Sequence, residues 1–554
     1  MHADLSRITY RPERHYSAVI AQQGRVQLDA DANEQTAIQL FQARTLAADL
    51  IGQHAGPSGA TGFKIDLQAR SRELDDLVIG GGRYYVDGIL VDATRPAPGV
   101  PVSAAGAGEG DGAEQAAEHE GEAAAEPEAP PTAWSYWDQP DGFRDPERPG
   151  DRLPGQFPYL VYLKVWERLV TAAEDPALRE VALGSALPDT AARTKVVWQV
   201  LPLPGTELGL EGENPPVGDI RRAFDKWARK QSAPASRLAA RSERPDHADD
   251  DPCLVKPDAR YRGPENQLYR VEVHDAGAAK DATFKWSREN GSVTFPVDEL
   301  DGTWVALATL GSDDKLDLNV GDLVEFVDTA CTSRGEALPL LRVEELDLPG
   351  RRVRLSDEPA AGVGRRPELH PYLRRWDHHE SGARQASPTR GAKGGRLKHG
   401  ALPVEEGGWL PLEDGVEVYF TPGGTYRTGD FWLIPARTAT GGVEWPTDAA
   451  RRPLLEPPSG IAVHHAPLAW IHGEQAVPDL RLSFRPLGAD IQAADDAARA
   501  AEEAARDEEN AAESGAESGA QGQATGDAEA PRVSRSQTTA AAEAAVDQDS
   551  GEVG

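Results

Sequence analysis

The residues best equipped for chemistry lie in HPYLRRWDHHE (370–380). His370, Asp377, His378, His379 and Glu380 carry imidazole and carboxylate groups of the kind that bind zinc or manganese, and His464 and His465 could join them from a distance. Two features weigh against a metal. Adjacent histidines on an extended segment point to opposite faces. Arg365, Arg366, Arg374, Arg375 and Arg384 would repel a cation. The segment therefore reads as a structural loop facing water or a partner, with no metal expected. DHADDDP (246–252) offers oxygens suited to calcium, but it lacks the EF-hand spacing and central glycine, so a solvated loop is the better reading.

Other chemistry finds less support. With 91 acids, almost any carboxylate pair can be nominated, so a glycosidase dyad has no specific basis. G-x-S-x-G, Walker and H-E-x-x-H motifs are absent. GGGR (80–83) precedes a strand pattern rather than a helix, so it is no phosphate loop. The twelve tryptophans, Trp134, Trp166, Trp198, Trp286, Trp304 and Trp432 among them, could stack on sugars. Many fall inside strand patterns, where core packing is the usual role. The chain reads as a non-enzyme without a cofactor.

The elements that would position a binding surface are clearer. In YSAVIAQQGRVQLDADANEQ (16–35), an extended piece with Val19 and Ile20 leads to a turn at Gly24, where glycine tolerates positive φ. A second extended piece follows, with Val26 and Leu28 on one face. Asp31 and Glu34 have the spacing of an N-cap and its reciprocal partner. A helix is expected from there to about Gln53, with Ile38, Phe41, Thr45 and Ala48 as its apolar stripe.

Beyond it the pattern is that of strands. GGGRYYVDGILVDA (80–93) predicts a hairpin turning at Asp87-Gly88. FPYLVYLKVWERLV and RTKVVWQVLPL (193–203) predict long strands, the first buried on at least one face. Two more are expected in 261–293, with a turn at Arg288–Gly291. LNVGDLVEFVD (318–328) and LLRVEELDLPGRRVRLS (340–356) read as a small SH3-like or OB-like barrel, and 409–446 as a further hairpin. IRRAFDKWARKQSAPASRLAARSER (220–244) is basic, with Phe224 and Trp227 at helical spacing, and is read as a solvated connector helix.

The fold class expected is mainly β and multi-domain, with antiparallel sheets and small barrels, an N-terminal helix and a few connecting helices. Domains are expected at 1–102, 134–300 and 301–486. Residues 103–133 hold eight acids and no lysine or arginine, and 488–554 hold sixteen acids against four arginines. Both lack aromatic residues, so they are expected to be a disordered acidic insert and tail (103–133 and 487–554). The net charge of −33 argues against non-specific nucleic-acid binding. Two cysteines cannot build a disulfide framework. With no signal-peptide pattern and no long apolar run, a cytoplasmic protein is expected.

The segment 16–35, together with 159–199, 261–293 and 409–446, resembles an uncharacterised actinobacterial and cyanobacterial domain family associated with phage-tail-like contractile injection systems. Similar openings occur in some phage baseplate and fibre proteins. The resemblance implies a structural part at a baseplate or fibre attachment. Its partners would be other particle proteins or further copies of itself, with a small-molecule ligand not expected. Tyr16, Val19, Ile20, Arg25, Val26, Leu28, Asn33, Glu34 and Gln35 are the docking residues this suggests. A glycan- or ligand-binding β module is the alternative, and a carbohydrate-active enzyme a weaker one.

Overall fold

The computed structural model describes residues 2–68, 75–96, 133–184, 187–210, 215–243, 260–311, 315–379, 397–473, 477–486 and 499. The acidic insert up to residue 132, the acidic tail apart from Arg499, Cys253, the DHADDDP run and Glu380 lie outside them. The fold is mainly β and almost wholly antiparallel.

The helix α1 (Asp29–Ile51) precedes β1 (His54–Pro57), β2 (Ile65–Gln68), β3 (Asp76–Ile79), β4 (Arg83–Val86), β5 (Ile89–Asp92) and β6 (Trp134–Ser135). β4 and β5 form the expected hairpin: Val86 faces Ile89 across Asp87 and Gly88, whose φ values of 47° and 78° make a type I′ turn. β7 (Tyr159–Val170) and β8 (Arg193–Pro204) pair along their whole length. Next come α2 (Val217–Ser232), β9 (Leu238–Ser242), β10 (Gln267–Val273), β11 (Gly277–Ala278) and β12 (Thr283–Ser287).

Six strands then close a barrel: β13 (Thr294–Asp301), β14 (Trp304–Leu307), β15 (Leu323–Val327), β16 (Leu341–Asp347), β17 (Arg352–Leu355) and β18 (Tyr372–Trp376), with the short α3 (Thr329–Arg334) between β15 and β16. β19 (Leu402–Pro403), β20 (Trp409–Pro411), β21 (Val416–Phe420), β22 (Thr425–Tyr426), β23 (Phe431–Arg437), β24 (Gly442–Val443), β25 (Val463–Ile471) and β26 (Ser483–Phe484) complete the order.

The sheet β25-β7-β8 is covered on both faces. Val161, Leu163 and Val165 pack towards the sheets of the first block, around Phe63, Ile79 and Tyr84. Leu160 and Tyr162 pack against Ile220 and Phe224 of α2. Burial on both sides explains why β7 reads as a nearly continuous apolar run. α2 is therefore more than a solvated connector: its apolar stripe is core, and Arg221 donates 3.0 Å to the Leu480 carbonyl. A second core lies between β9-β21-β20 and the sheet of β10, β12 and β23, and a third fills the barrel.

The ladders cross the boundaries expected at residues 102 and 300. β13 itself spans position 300, β25 pairs with β7, β23 with β10, and β1 with β26 in parallel. Residues up to Phe484 form one compact unit. Local periodicity locates strands; it carries no record of which strand hundreds of residues away completes the ladder.

Candidate docking surface

The first residues of the chain are stitched to the body. His2 Nε2 lies 2.8 Å from Glu272 Oε2, and its ring meets the Trp376 ring edge-on at 6.1 Å. The Ala3 carbonyl accepts from Asn290 Nδ2 at 2.9 Å. Ser6 donates to the Asp29 carboxylate from its backbone (2.9 Å) and its hydroxyl (2.6 Å), and Thr9 Oγ1 donates to Glu34 at 2.6 Å. Behind His2 lies a buried ionic cluster. Lys285 sits between Glu272 (3.3 Å) and Glu325 (2.9 Å), and Arg270 Nε donates to Glu272 at 2.6 Å. Burial alone would raise the Glu272 carboxyl pKa, but Arg270, Lys285 and His2 outweigh it and hold it well below the usual range. The cluster joins β10 and β12 to β15, with Glu272, Lys285 and Glu325 all buried.

From Arg11 the chain leaves the body as an arm. Residues 15–28 belong to no helix or strand, and residues 11–29 are exposed apart from a half-buried Val19. Ile20 is 77% and Val26 83% exposed, with Tyr16 and Leu28 exposed as well. The Arg25 N–H bonds to the Gln22 carbonyl at 3.2 Å in a turn whose Gly24 has φ 71°, so the glycine does serve that turn. One bond ties the middle of the arm down: the Val19 N–H donates to Gln35 Oε1 at 2.7 Å.

α1 starts three residues earlier than the Asp31–Glu34 spacing suggested. Leu28 is the N-cap, and the Asp31 carboxylate, at the third helical position, accepts its N–H at 3.1 Å. Glu34 is free of the cap because Thr9 holds it, and Gln35 holds Val19. Of Asn33, Glu34 and Gln35, two thus serve the chain's own arm, and Asn33 remains exposed. The helix sits close to the β4–β5 turn. A Cβ on Gly88 would come within 2.1 Å of the Arg44 carbonyl oxygen, and the Arg44 guanidinium forms two bonds to Glu167, of 2.8 and 2.7 Å.

Only Ala30 and Ile38 of α1 are fully buried. Phe41 and Thr45, half of the expected stripe, are exposed, as are Leu40, Leu46 and Leu50. A shallow groove of about 510 Å³ runs along the helix between Tyr10, Leu40, Phe41, Ala48 and Asp87. The leucines were visible in the sequence. They fall off the stripe, and a helix apolar on more than one face has more to bury than its own domain can cover.

The residues first considered for chemistry are accounted for individually. Asp377 is buried and accepts from the Arg288 N–H at 2.9 Å; His378 is buried with Nε2 2.9 Å from the Gly400 carbonyl; His379 is exposed. The two histidines follow the end of β18, one buried and the other exposed, so they do not face a common site. His464 pairs with Asp87 at 2.7 Å, and His465 is buried among Tyr162 and Trp227. Burial brings both His378 and His465 down to about 4. Among the described residues no group of three or more histidine, cysteine, aspartate or glutamate side chains is placed to hold a metal. Cys331 is a free buried thiol whose pKa burial and Asp328 push up to about 12. None of the twelve tryptophans is exposed.

Fold and surface together define an antiparallel multi-sheet β protein with a barrel, carrying an exposed apolar arm and helix. The chain belongs to a family of unknown function (DUF6519), whose pattern matches residues 1–207 and 219–548. No curated protein and no solved structure matches it. No helix among the described residues is long and apolar enough to cross a membrane.

Proposed function

We propose that this chain is a non-enzymatic structural part of a protein assembly, docked on its neighbours through the arm and the outer face of α1. One observation carries the reading. Ile20, Val26, Leu46 and Leu50 are more than 60% exposed while the groups around them are firmly held by named bonds. Groups of exposed apolar residues, one on the arm and one on the helix, mark sites of association. The resemblance of segment 16–35 to baseplate and fibre proteins supports a phage-tail-like contractile particle as the assembly.

A glycan-binding β module is the second reading. It requires aromatic rings exposed together, and the half-buried tryptophans are instead occupied: Arg241 lies 4.2 Å from the Trp409 ring centroid, Arg95 4.5 Å from that of Trp134, and Trp227 packs on Tyr162. The assembly reading is therefore preferred.

The test is a full chain carrying Ile20→Asp and Val26→Asp, expressed in place of the wild type in its own cells. Its melting curve should match the wild type, and its share in isolated particles should fall at least about tenfold, as for loss of a central apolar contact. Unchanged incorporation would reject the reading.

A further inference from the structure

Resting on that reading, we propose that the occupant of the surface is a second copy of this chain, with the arm of one copy lying along α1 of another. Both halves of such a contact are present on the same molecule and both are largely exposed, with Tyr10 in ring contact with Phe41. The arm offers Ile20, Val26 and Leu28; the helix offers Leu40, Phe41, Leu46 and Leu50. As it is held, the arm does not reach the far end of its own helix. Val19 is tied to Gln35, and Leu28 is fixed as the N-cap, so both ends of the turn at Gly24 are held at the first two turns of α1. The leucines near the other end, Leu46 and Leu50, lie roughly 16 and 22 Å beyond Gln35 along the helix at about 1.5 Å per residue.

Charge supports the same pairing. Residues 11–28 contain Arg11, Arg14 and Arg25 against Glu13 alone. α1 contains Asp29, Asp31, Glu34 and Asp49 against Arg44 alone, and Arg44 is already engaged by Glu167. A basic arm thus meets an acidic helix on a molecule whose net charge of −33 otherwise drives copies apart. Opposite patches on one chain give specificity to a contact between copies that unselective apolar collapse would lack. Reciprocal exchange would close a two-fold dimer; head-to-tail exchange would give a ring or filament.

The test uses the purified full chain in sedimentation equilibrium over rising concentration. The wild type should exceed the monomer mass, less so at high salt, because exposed charge pairs are screened. An arm variant (Ile20→Asp with Val26→Asp) and a helix variant (Leu46→Asp with Leu50→Asp) should each be monomeric with an unchanged melting curve. Mixed together they should associate again, since one retains the helix and the other the arm. A wild type that stays monomeric, variants that associate like the wild type, or a mixture that stays monomeric would each overturn the proposal. The assembly reading is judged separately: an arm variant lost from particles while the wild type is monomeric leaves it standing and removes only the second copy as partner.

Discussion

His2 Nε2 lies 2.8 Å from Oε2 of Glu272, a residue 270 positions further along the chain, and Arg270 donates to the same oxygen at 2.6 Å. The imidazole thus shares its acceptor with a guanidinium and faces a second one, Arg374. Burial lowers the pKa of His2 well below its ordinary 6.5, and Arg270 and Arg374 lower it further against the pull of Glu272.

The sign of the pH response follows. A histidine depressed in the folded state contributes stability that is fully present above its unfolded pKa of about 6.5 and is lost progressively as pH falls from there towards its folded pKa. The protection of residues 3–10, taken as hydrogen exchange relative to the intrinsic rate at each pH, should therefore fall between pH 7.5 and pH 5.5. His274, His378 and His465 are depressed too, to about 4, and weaken the whole body over the same range. His2→Gln separates the effects: it keeps a donor for Glu272 and should remove the extra response of residues 3–10. A variant that keeps the full response would show that His2 is not the group titrating.

The fit of α1 against the hairpin predicts the effect of one methyl group. Gly88→Ala places an L side chain at φ 78° and drives its Cβ to 2.1 Å from the Arg44 carbonyl oxygen. Strain and overlap together should cost about 2 kcal/mol or more, read by chemical denaturation. Asp87→Asn is the control: it keeps a residue suited to the type I′ turn and should cost much less. Equal losses for the two would mean that the close approach of α1 is not what the glycine serves.

The sequence made the strands legible and hid their partners. Asp87-Gly88 announced the hairpin turn, and the alternation in 159–170 and 193–203 announced β7 and β8, because turn chemistry and period are local properties. β15, β16 and β17 were legible as part of a small barrel for the same reason, but β13, β14 and β18, which close it, lie outside the runs that suggested it. That β23 would complete the sheet of β10, or β25 that of β7, depends on contacts between distant segments. The arm was legible as an element. Its anchoring was not, since nothing near His2, Thr9 or Gln35 in sequence signals Glu272, Glu34 or Val19 as partners.

Lys285 tests the ionic cluster. It is 3% exposed, lies between Glu272 and Glu325, and has the Trp376 ring centroid 4.4 Å from its Nζ. Lys285→Met fills similar space but leaves the two carboxylates without the cation between them, which should cost about 3–5 kcal/mol. Adding Glu325→Gln should recover part of the loss, because it removes one of the uncompensated charges. If the double variant is no more stable than the single, the damage comes from packing rather than charge.

The last prediction concerns the acidic insert. Its flanks are fastened to each other: Arg95 donates to the Ala133 carbonyl at 3.0 Å and to Asp138 at 2.6 Å, and Trp134 Nε1 donates to the Ala93 carbonyl at 3.0 Å. The chain therefore leaves and rejoins the body at one place, and β6 pairs with β3 immediately after it returns. A segment without aromatic residues, carrying eight acids and no lysine or arginine, has little apolar surface with which to add to the core. Replacing 98–131 with a short Gly/Ser loop should leave the fold intact. Loop closure should become easier, since each halving of loop length recovers about 0.6 kcal/mol, so stability should hold or rise by about 1 kcal/mol. Thermal melting of the shortened chain, compared with one carrying Arg95→Ala in the full-length loop, separates the two contributions. A fall of several degrees on shortening alone would show that the insert itself packs against the body, and that its charge is more than a solvated excursion between two fastened ends.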